Sequence, residues 1–392
     1  MRVIIKYGSA NGCGQIKNAD CQQCLLLVSG FGYSSWASRI PSIKHQLNLN
    51  EAQLGVVLFA MPVGLMLTMP LTAKMIKHFS SRIMMLIGAL AFSLVLCLPG
   101  FAAYMWQLIV VLFFVGSTRN ILGLSMNSQA VGIQALYDKS IMVTFHGIWS
   151  LAGFGGAAVG YLMVLFNVAP SYHLLAVGIA MLILSVIFYP STYDYQPAET
   201  PNRSVFSMPD KHLLKFSLIC FASMACENTL YDWSGVYFEK VVHATKSFAE
   251  AGFVVYMVTM TIGRFAGDRV VSAIGIKKVL TYSSSLVLAG LLVSVFLPYT
   301  LTVYLGYAMI GMGVSCIVPL IFSMAGKSKT MNSSQALAAI STVGYLGFVI
   351  VPPIVGFIAQ AANLQIAFFV VAAFAAMMIW LVGKIEDEPV VS

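Results

Sequence analysis

An all-α membrane protein of twelve transmembrane helices in two pseudo-symmetric six-helix bundles is the fold class that the sequence predicts, on three observations. The 392 residues are 59% hydrophobic and only 9% charged, whereas an ordinary soluble domain carries about 25% charge. Apolar runs of about 20 residues, the length that crosses a bilayer, recur along nearly the whole chain. The second half repeats features of the first at a near-constant offset.

The runs place spans at 22–42, 52–73, 83–102, 105–130, 142–166, 172–190, 216–238, 248–267, 279–297, 301–324, 335–359 and 365–383. The longest polar interruption, Ser191 to Lys211, has the proline and polar content of a linker. The expected organisation is an N-terminal six-helix bundle over 1–190, a cytoplasmic linker over 191–211 and a C-terminal six-helix bundle over 212–392. An offset of 197 sets Trp36 on Trp233, Ala52 on Ala249, Gly55 on Gly252, Val57 on Val254 and Phe59 on Tyr256. An offset of 196 sets Val159, Gly160 and Tyr161 on Val355, Gly356 and Phe357. Matching span to span in parallel, the repeat implies duplication about an axis along the membrane normal.

Of the 22 lysines and arginines, seventeen fall at one end of these spans, four (Arg39, Lys44, Lys240 and Lys246) at the other, and Arg119 within a span. The positive-inside bias puts both termini in the cytoplasm. The net charge of +8 is therefore a property of loops, and no basic patch interleaved with aromatics points to nucleic acid. Cys21 and Cys24 form one CxxC pair with Cys13 upstream, but no second pair or nearby histidine completes a metal site. Six histidines scattered mainly at span ends offer no catalytic cluster. Neither an enzyme nor a cofactor is expected. The N-terminal apolar stretch is too short for a signal peptide and is expected to remain as a cytoplasmic tail.

The seventh span, Phe216 to Phe238, carries Glu227 at its middle and Asp232 beyond. An ionisable group at that depth costs about 2.5–3.5 kcal/mol on insertion scales, and faces a bundle interior or a wet cavity. At helical spacing Glu227, Tyr231 and Ser234 share one stripe, and Asn228, Asp232 and Gly235 the adjacent one. Two readings stand: the acids hold the bundle together, or they handle substrate and protons. In the fourth span Arg119 needs an anionic partner, either Glu227 or Asp232 across the two halves or an anionic substrate. Asn120, Asn127 and Gln134 recur there at intervals of seven, for interhelical hydrogen bonds or for a cavity.

The fifth span opens with His146, Trp149 and Ser150 before a glycine-rich run that lets helices approach closely. A histidine and a tryptophan beside a cavity can hydrogen-bond and stack a polar ring. Trp36 and Trp233 form a symmetric pair, placed for a cavity or as interface anchors. In the eleventh span Gly344, Gly347, Pro352 and Pro353 are expected to interrupt the helix, with Tyr345 facing inward.

With these residues in view, the chain resembles the major facilitator superfamily over essentially its whole length. Gly263 to Leu280, GRFAGDRVVSAIGIKKVL, resembles the loop motif that family carries after its eighth span. The resemblance implies a cytoplasmic gate made by Gly263, Arg264, Asp268 and Arg269. The first-half counterpart, PLTAKMIKHFSSRIMM, keeps Lys74, Lys77 and Arg82 without an acid. More narrowly, SWASRIPSIK, the Asn127 region, FHGIWSLAG, ENTLYDW, GRFAG and GYLGFVIVPPIVGFIAQ resemble the YbjJ-like bacterial inner-membrane transporters, a branch similar to the fucose permease group of proton-linked sugar carriers.

That resemblance implies a monomeric secondary transporter in a bacterial inner membrane, whose partners are a small-molecule substrate, protons and the lipid bilayer. The substrate it implies is a sugar-like polar solute moved by proton symport. Where the fucose permease group carries acids in its first and fourth spans, this chain has serines and Arg119. Proton coupling therefore falls to Glu227 or Asp232, with Arg119 approaching Glu227 in one state to favour release. The substrate cavity would draw on Arg119, Asn120, Asn127, His146, Trp149, Asn228, Tyr231, Trp233 and Tyr345. The alternative on the same fold is efflux of amphipathic compounds, for which 22 methionines and 25 phenylalanines supply lining.

Overall fold

A computed structural model describes residues 27–134, 142–192, 208–326, 331 and 333–385, and all regular structure among them is helical. The first half contains α1 (27–37), α2 (Ile40–Gln46), α3 (Glu51–Phe79), α4 (Ser81–Leu96), α5 (Met105–Gln134), α6 (Met142–Leu165) and α7 (Pro170–Phe188). The second contains α8 (Leu214–Lys240), α9 (Lys246–Ile274), α10 (Ile276–Phe296), α11 (Thr300–Ala325), α12 (Ser333–Ala361) and α13 (Leu364–Gly383). With α1 and α2 sharing the first span, this is a twelve-span protein of two pseudo-symmetric six-helix bundles. Cys13, Cys21 and Cys24 lie outside the described residues.

The first span is not one helix. The chain turns at Ser38 and Arg39, and α2 restarts with Pro41 in its first turn. Proline has no N–H to continue the ladder and is pre-shaped for a helix start. Pro352 and Pro353 behave otherwise: both lie inside an unbroken α12, so the expected interruption does not occur. Gly344 and Gly347 instead bring α12 onto α8, where an added methyl at Gly347 would meet the Phe221 carbonyl oxygen at 2.6 Å.

Among the described residues, nine helices are long and apolar enough to cross a membrane, α3 to α7 and α10 to α13. Their outer faces expose apolar side chains such as Leu67, Leu94, Ile187, Leu305 and Phe369, as a lipid-facing surface must. α8 falls outside that set for a physical reason: every residue from Ala222 to Phe238 is buried, so the helix has no lipid face to keep apolar.

The halves meet along two seams, α3 against α12 and α6 against α9. The repeat offset carries α3 onto α9 and α6 onto α12, so each seam is the symmetry mate of the other. Added methyls at Gly55 and Gly356 would meet the Pro352 and Glu51 carbonyl oxygens at 2.8 and 2.7 Å, so backbones touch across the first seam.

The corners α3–α4 and α9–α10 also match. Ser80 has φ 71° and ψ 150°, and Gly275 has φ 84° and ψ 157°. Glycine adopts this region freely, whereas an L side chain there costs about 1–3 kcal/mol. Ser80→Gly is therefore expected to stabilise the detergent-solubilised protein, and Gly275→Ala to destabilise it by about 1–3 kcal/mol. Thermal or denaturant unfolding of the two variants checks both signs.

Candidate functional site

The centre of the molecule is built around α8. Its Glu227 and Asp232 are 9% and 8% exposed, well away from lipid. Glu227 Oε1 lies 3.7 Å from Arg264 Nη2, and Arg264 Nη1 donates to Ser150 Oγ on α6 at 2.5 Å. The guanidinium also sits 5.6 Å from the Trp149 ring centroid. Thr261 Oγ1 donates to the Ser150 carbonyl at 3.2 Å, so this cluster is part of the α6–α9 seam. Asp232 accepts from Asn228 Nδ2 at 2.7 Å, one helical turn away.

At 3.7 Å the Glu227–Arg264 contact is longer than a hydrogen bond of 2.7–3.2 Å. Opposite charges near this separation gain about 4 kcal/mol at an effective dielectric of about 20. That gain covers the cost of one stranded ion, about 2.5–3.5 kcal/mol, but not of two. The remainder comes from Ser150 and from the Trp149 face, where a cation–π contact contributes about 0.5–2 kcal/mol.

Arg119 is placed differently from the expectation. Its guanidinium lies 3.8 Å from the centroid of the Tyr33 ring, and among the described residues no carboxylate is within ion-pair distance. It remains within electrostatic reach of Glu227 and Asp232. Tyr33 stacks at 5.0 Å on Tyr231, which meets Phe253 and Tyr256 edge-on at 5.4 and 5.8 Å. An aromatic column thus crosses between the halves beside the charges. The Tyr231 hydroxyl and Arg264 Nε are buried with no partner among the described residues.

Several expected positions move. Arg119 is not alone at depth: α9 runs ten residues beyond Arg264, so GRFAGD is helix rather than loop, and Arg264 takes the partner assigned to Arg119. Asp268 and Arg269 are exposed on the last turns of α9, apart from Arg264's cluster. Gly263 is buried against Ser315 and Cys316 of α11, where its missing side chain permits packing. The Asn120 amide donates to Thr72 Oγ1 at 3.0 Å and Thr68 Oγ1 at 3.3 Å, which commits it to the α3–α5 contact.

Asn127 and His146 are exposed, and Trp149 is half-buried with its N–H on Ser29 Oγ at 3.4 Å. Trp36 and Trp233 are both buried, at 2% and 0% exposure, which rules out interface anchoring. Tyr345 is half-buried beside Phe348 and within electrostatic reach of Arg119.

Sequence reasoning missed Tyr33, Tyr256 and a set of buried charges at the end where α2 and α8 finish. Arg39, counted among the basic residues at the sparsely charged end of the spans, is 2% exposed and donates to His173 Nδ1 at 2.9 Å and the Val168 carbonyl at 2.7 Å. Glu250 is 3% exposed and near it. Glu51 pairs with Lys44 at 3.2 Å and with Lys240 of the other half at 3.7 Å, while His45 meets Glu239 at 2.7 Å. The Glu51–Lys240 and His45–Glu239 pairs tie the halves together at that end. The repeat offset held a signal for the aromatic column, since Tyr256 is the mate of Phe59.

The major facilitator superfamily profile matches residues 24–333. The chain belongs to that superfamily. An uncharacterized superfamily transporter of Yersinia pestis is 29% identical over 349 residues, 88% of this chain and 90% of that one. Two solved structures share the superfamily fold. The nucleoside transporter NupG superposes with a TM-score of 0.72 at 13% identity, covering 93% of this chain and 99% of its own. The Escherichia coli fucose:proton symporter FucP gives 0.64 at 15%, covering 96% and 100%.

For this superfamily member the Arg264–Glu227 contact is expected to behave as a coupled pair. Glu227→Gln and Arg264→Gln should each destabilise the protein, and the double variant should fall short of their sum by on the order of 0.5–3 kcal/mol. Arg119 is not in contact with Glu227, and Arg119→Gln should couple to Glu227→Gln more weakly than Arg264→Gln does. Unfolding of the three single and two double variants checks this.

Proposed function

We propose that this superfamily transporter carries a small, sugar-like polar solute by alternating access with proton symport, and that Glu227 is the proton-carrying group. The observation that carries the reading is a carboxylate on a helix buried from Ala222 to Phe238, in loose contact within the second half with Arg264, whose other partner, Ser150, lies across the α6–α9 seam. As the seam opens, Arg264 leaves Ser150, and its guanidinium is freed to move toward or away from Glu227. With 1–190 and 212–392 as rocking bodies, Glu227 takes up a proton from the far side and releases it to the cytoplasm when Arg264 returns. Asp232, held only by Asn228, is the second proton-carrying candidate. The fold shared with a fucose:proton symporter and a nucleoside transporter supports a polar ring-bearing solute, for which Tyr231, Trp149, His146 and Tyr345 supply faces and donors.

The same reading puts the protein in a bacterial inner membrane as a monomer with both termini cytoplasmic, in the branch that resembles YbjJ. The ion pairs at the Lys44, Glu51 and Lys240 end then form the periplasmic closure. Asp268 and Arg269, exposed at the other end of α9, take the cytoplasmic gate role in the opposite state.

Sugar uptake into vesicles carrying the purified protein tests the proposal. An inward proton gradient should drive accumulation by the wild type and by Asp232→Asn. Glu227→Gln should exchange solute across the membrane without accumulating it. Gradient-driven accumulation at the wild-type level in Glu227→Gln would remove Glu227 from the proton path.

A further inference from the structure

We infer that the solute carries an anionic group, a carboxylate or a phosphate, which binds Arg119 and displaces Glu227 from Arg264. The inference deepens the transport reading above and rests on the same central site.

The central charges are unevenly satisfied. Asp232 has a hydrogen bond at 2.7 Å, and Glu227 has its contact to Arg264. Arg119, midway along α5, has only the face of Tyr33 at 3.8 Å, and no hydrogen bond engages its five N–H groups among the described residues. A cation–π contact occupies the flat face of a guanidinium and leaves its edge, the side that receives an oxyanion in a two-pronged pair, free. Arg119 is half-buried, and beside it Arg264 Nε and the Tyr231 hydroxyl are buried donors without acceptors among the described residues. Both arginines lie within electrostatic reach of the same two side chains, Glu227 and Tyr231. The site thus offers three unsatisfied donor groups, two of them cationic.

A neutral sugar can accept from such donors but leaves the Arg119 charge uncompensated at depth, whereas an oxyanion satisfies charge and donors together. The consequence for coupling follows from charge alone. When an anion enters beside Arg119 and Arg264, it competes with Glu227 for Arg264. A carboxylate released into a buried site takes up a proton rather than remain ionised without a partner. One negative charge and one proton enter together, so the net charge of the site is unchanged. The groups around Glu227 are Arg264 and Tyr256 on α9, Arg119 on α5, Tyr33 on α1, and Cys220, Tyr231 and Asp232 on its own helix. His146 on α6 and Tyr345 on α12 act on the arginines from outside that shell. Among these only Arg264 is in contact with the Glu227 carboxylate, so its displacement is the event that frees the carboxylate to bind a proton.

The test uses the full-length purified protein with D-glucuronate, D-gluconate and D-glucose 6-phosphate as acidic probes, and D-glucose and D-glucitol as neutral counterparts. Ligand-induced thermal shifts report affinity, and pH change in weak buffer reports protons bound. At least one acidic probe should raise the melting temperature where its neutral counterpart does not. Arg119→Gln should weaken that binding roughly tenfold or more, and Arg119→Lys by less, since lysine keeps charge but not the paired donors. About one proton should accompany each anion in the wild type and none in Glu227→Gln. If Arg119→Gln does not fold, the Arg119→Lys loss and the proton count carry the test. Equal shifts from neutral counterparts, binding indifferent to Arg119, or no shift from any acidic probe overturn the inference. Gradient-driven uptake of a neutral sugar would leave the symport reading standing without it. Proton-linked binding of an acid without gradient-driven accumulation would do the reverse.

Discussion

Glu227 and Arg264 make each other tolerable at a depth where neither charge is stable alone. The pair needs a helix with no lipid face, and α8 is buried along its whole central length. It also needs a second helix to bring the cation in, and α9 does so from the seam with α6, where Ser150 and Trp149 hold the guanidinium. The contact is long enough to be weaker than a hydrogen-bonded pair, which suits a group that must alternate between partners.

The duplicated architecture does not duplicate that pair. Corners at Ser80 and Gly275 share one backbone conformation, and the α3–α12 and α6–α9 seams exchange under the repeat. Chemistry does not follow the repeat. The first-half mate of Arg264 at the 197 offset is Leu67, and that of Glu227 is Gly30. Leu67 is 67% exposed, where a side chain faces lipid, and Gly30 packs against the Trp149 carbonyl oxygen. The second half carries Glu227, Asp232 and Arg264, and the first supplies Ser150, Trp149 and the Arg119–Tyr33 arm.

Spans were legible in the sequence where a helix has a lipid face, because lipid enforces an apolar run, as in α4, α7 and α13. The seventh was legible for the opposite reason, since two acids in an otherwise apolar run signal an interior helix. The partner of Glu227 was not. Arg264 sits three residues inside the end of the predicted span at 267, and the resemblance of GRFAGD to a loop motif set it with the cytoplasmic basic residues, whereas α9 continues to Ile274. Arg39 read as a basic residue at a span end because its partner, His173, is 134 positions away. Pairings at that distance leave no local pattern. Asn120 and Asn127 show the limit of spacing itself: seven residues keep them near one face, yet the first is committed to α3 and the second is exposed.

The central claim is that water or solute reaches Glu227 and that Arg264 governs its charge. Infrared difference spectroscopy of the membrane-embedded protein, with Glu227→Gln as the subtraction reference, reads that carboxyl directly. The account predicts a carboxyl band that disappears in Glu227→Gln, shifts on exchange into heavy water, and titrates at a different pH in Arg264→Gln. A band that neither exchanges nor responds to Arg264 would mean a sealed structural acid, and would contradict the account.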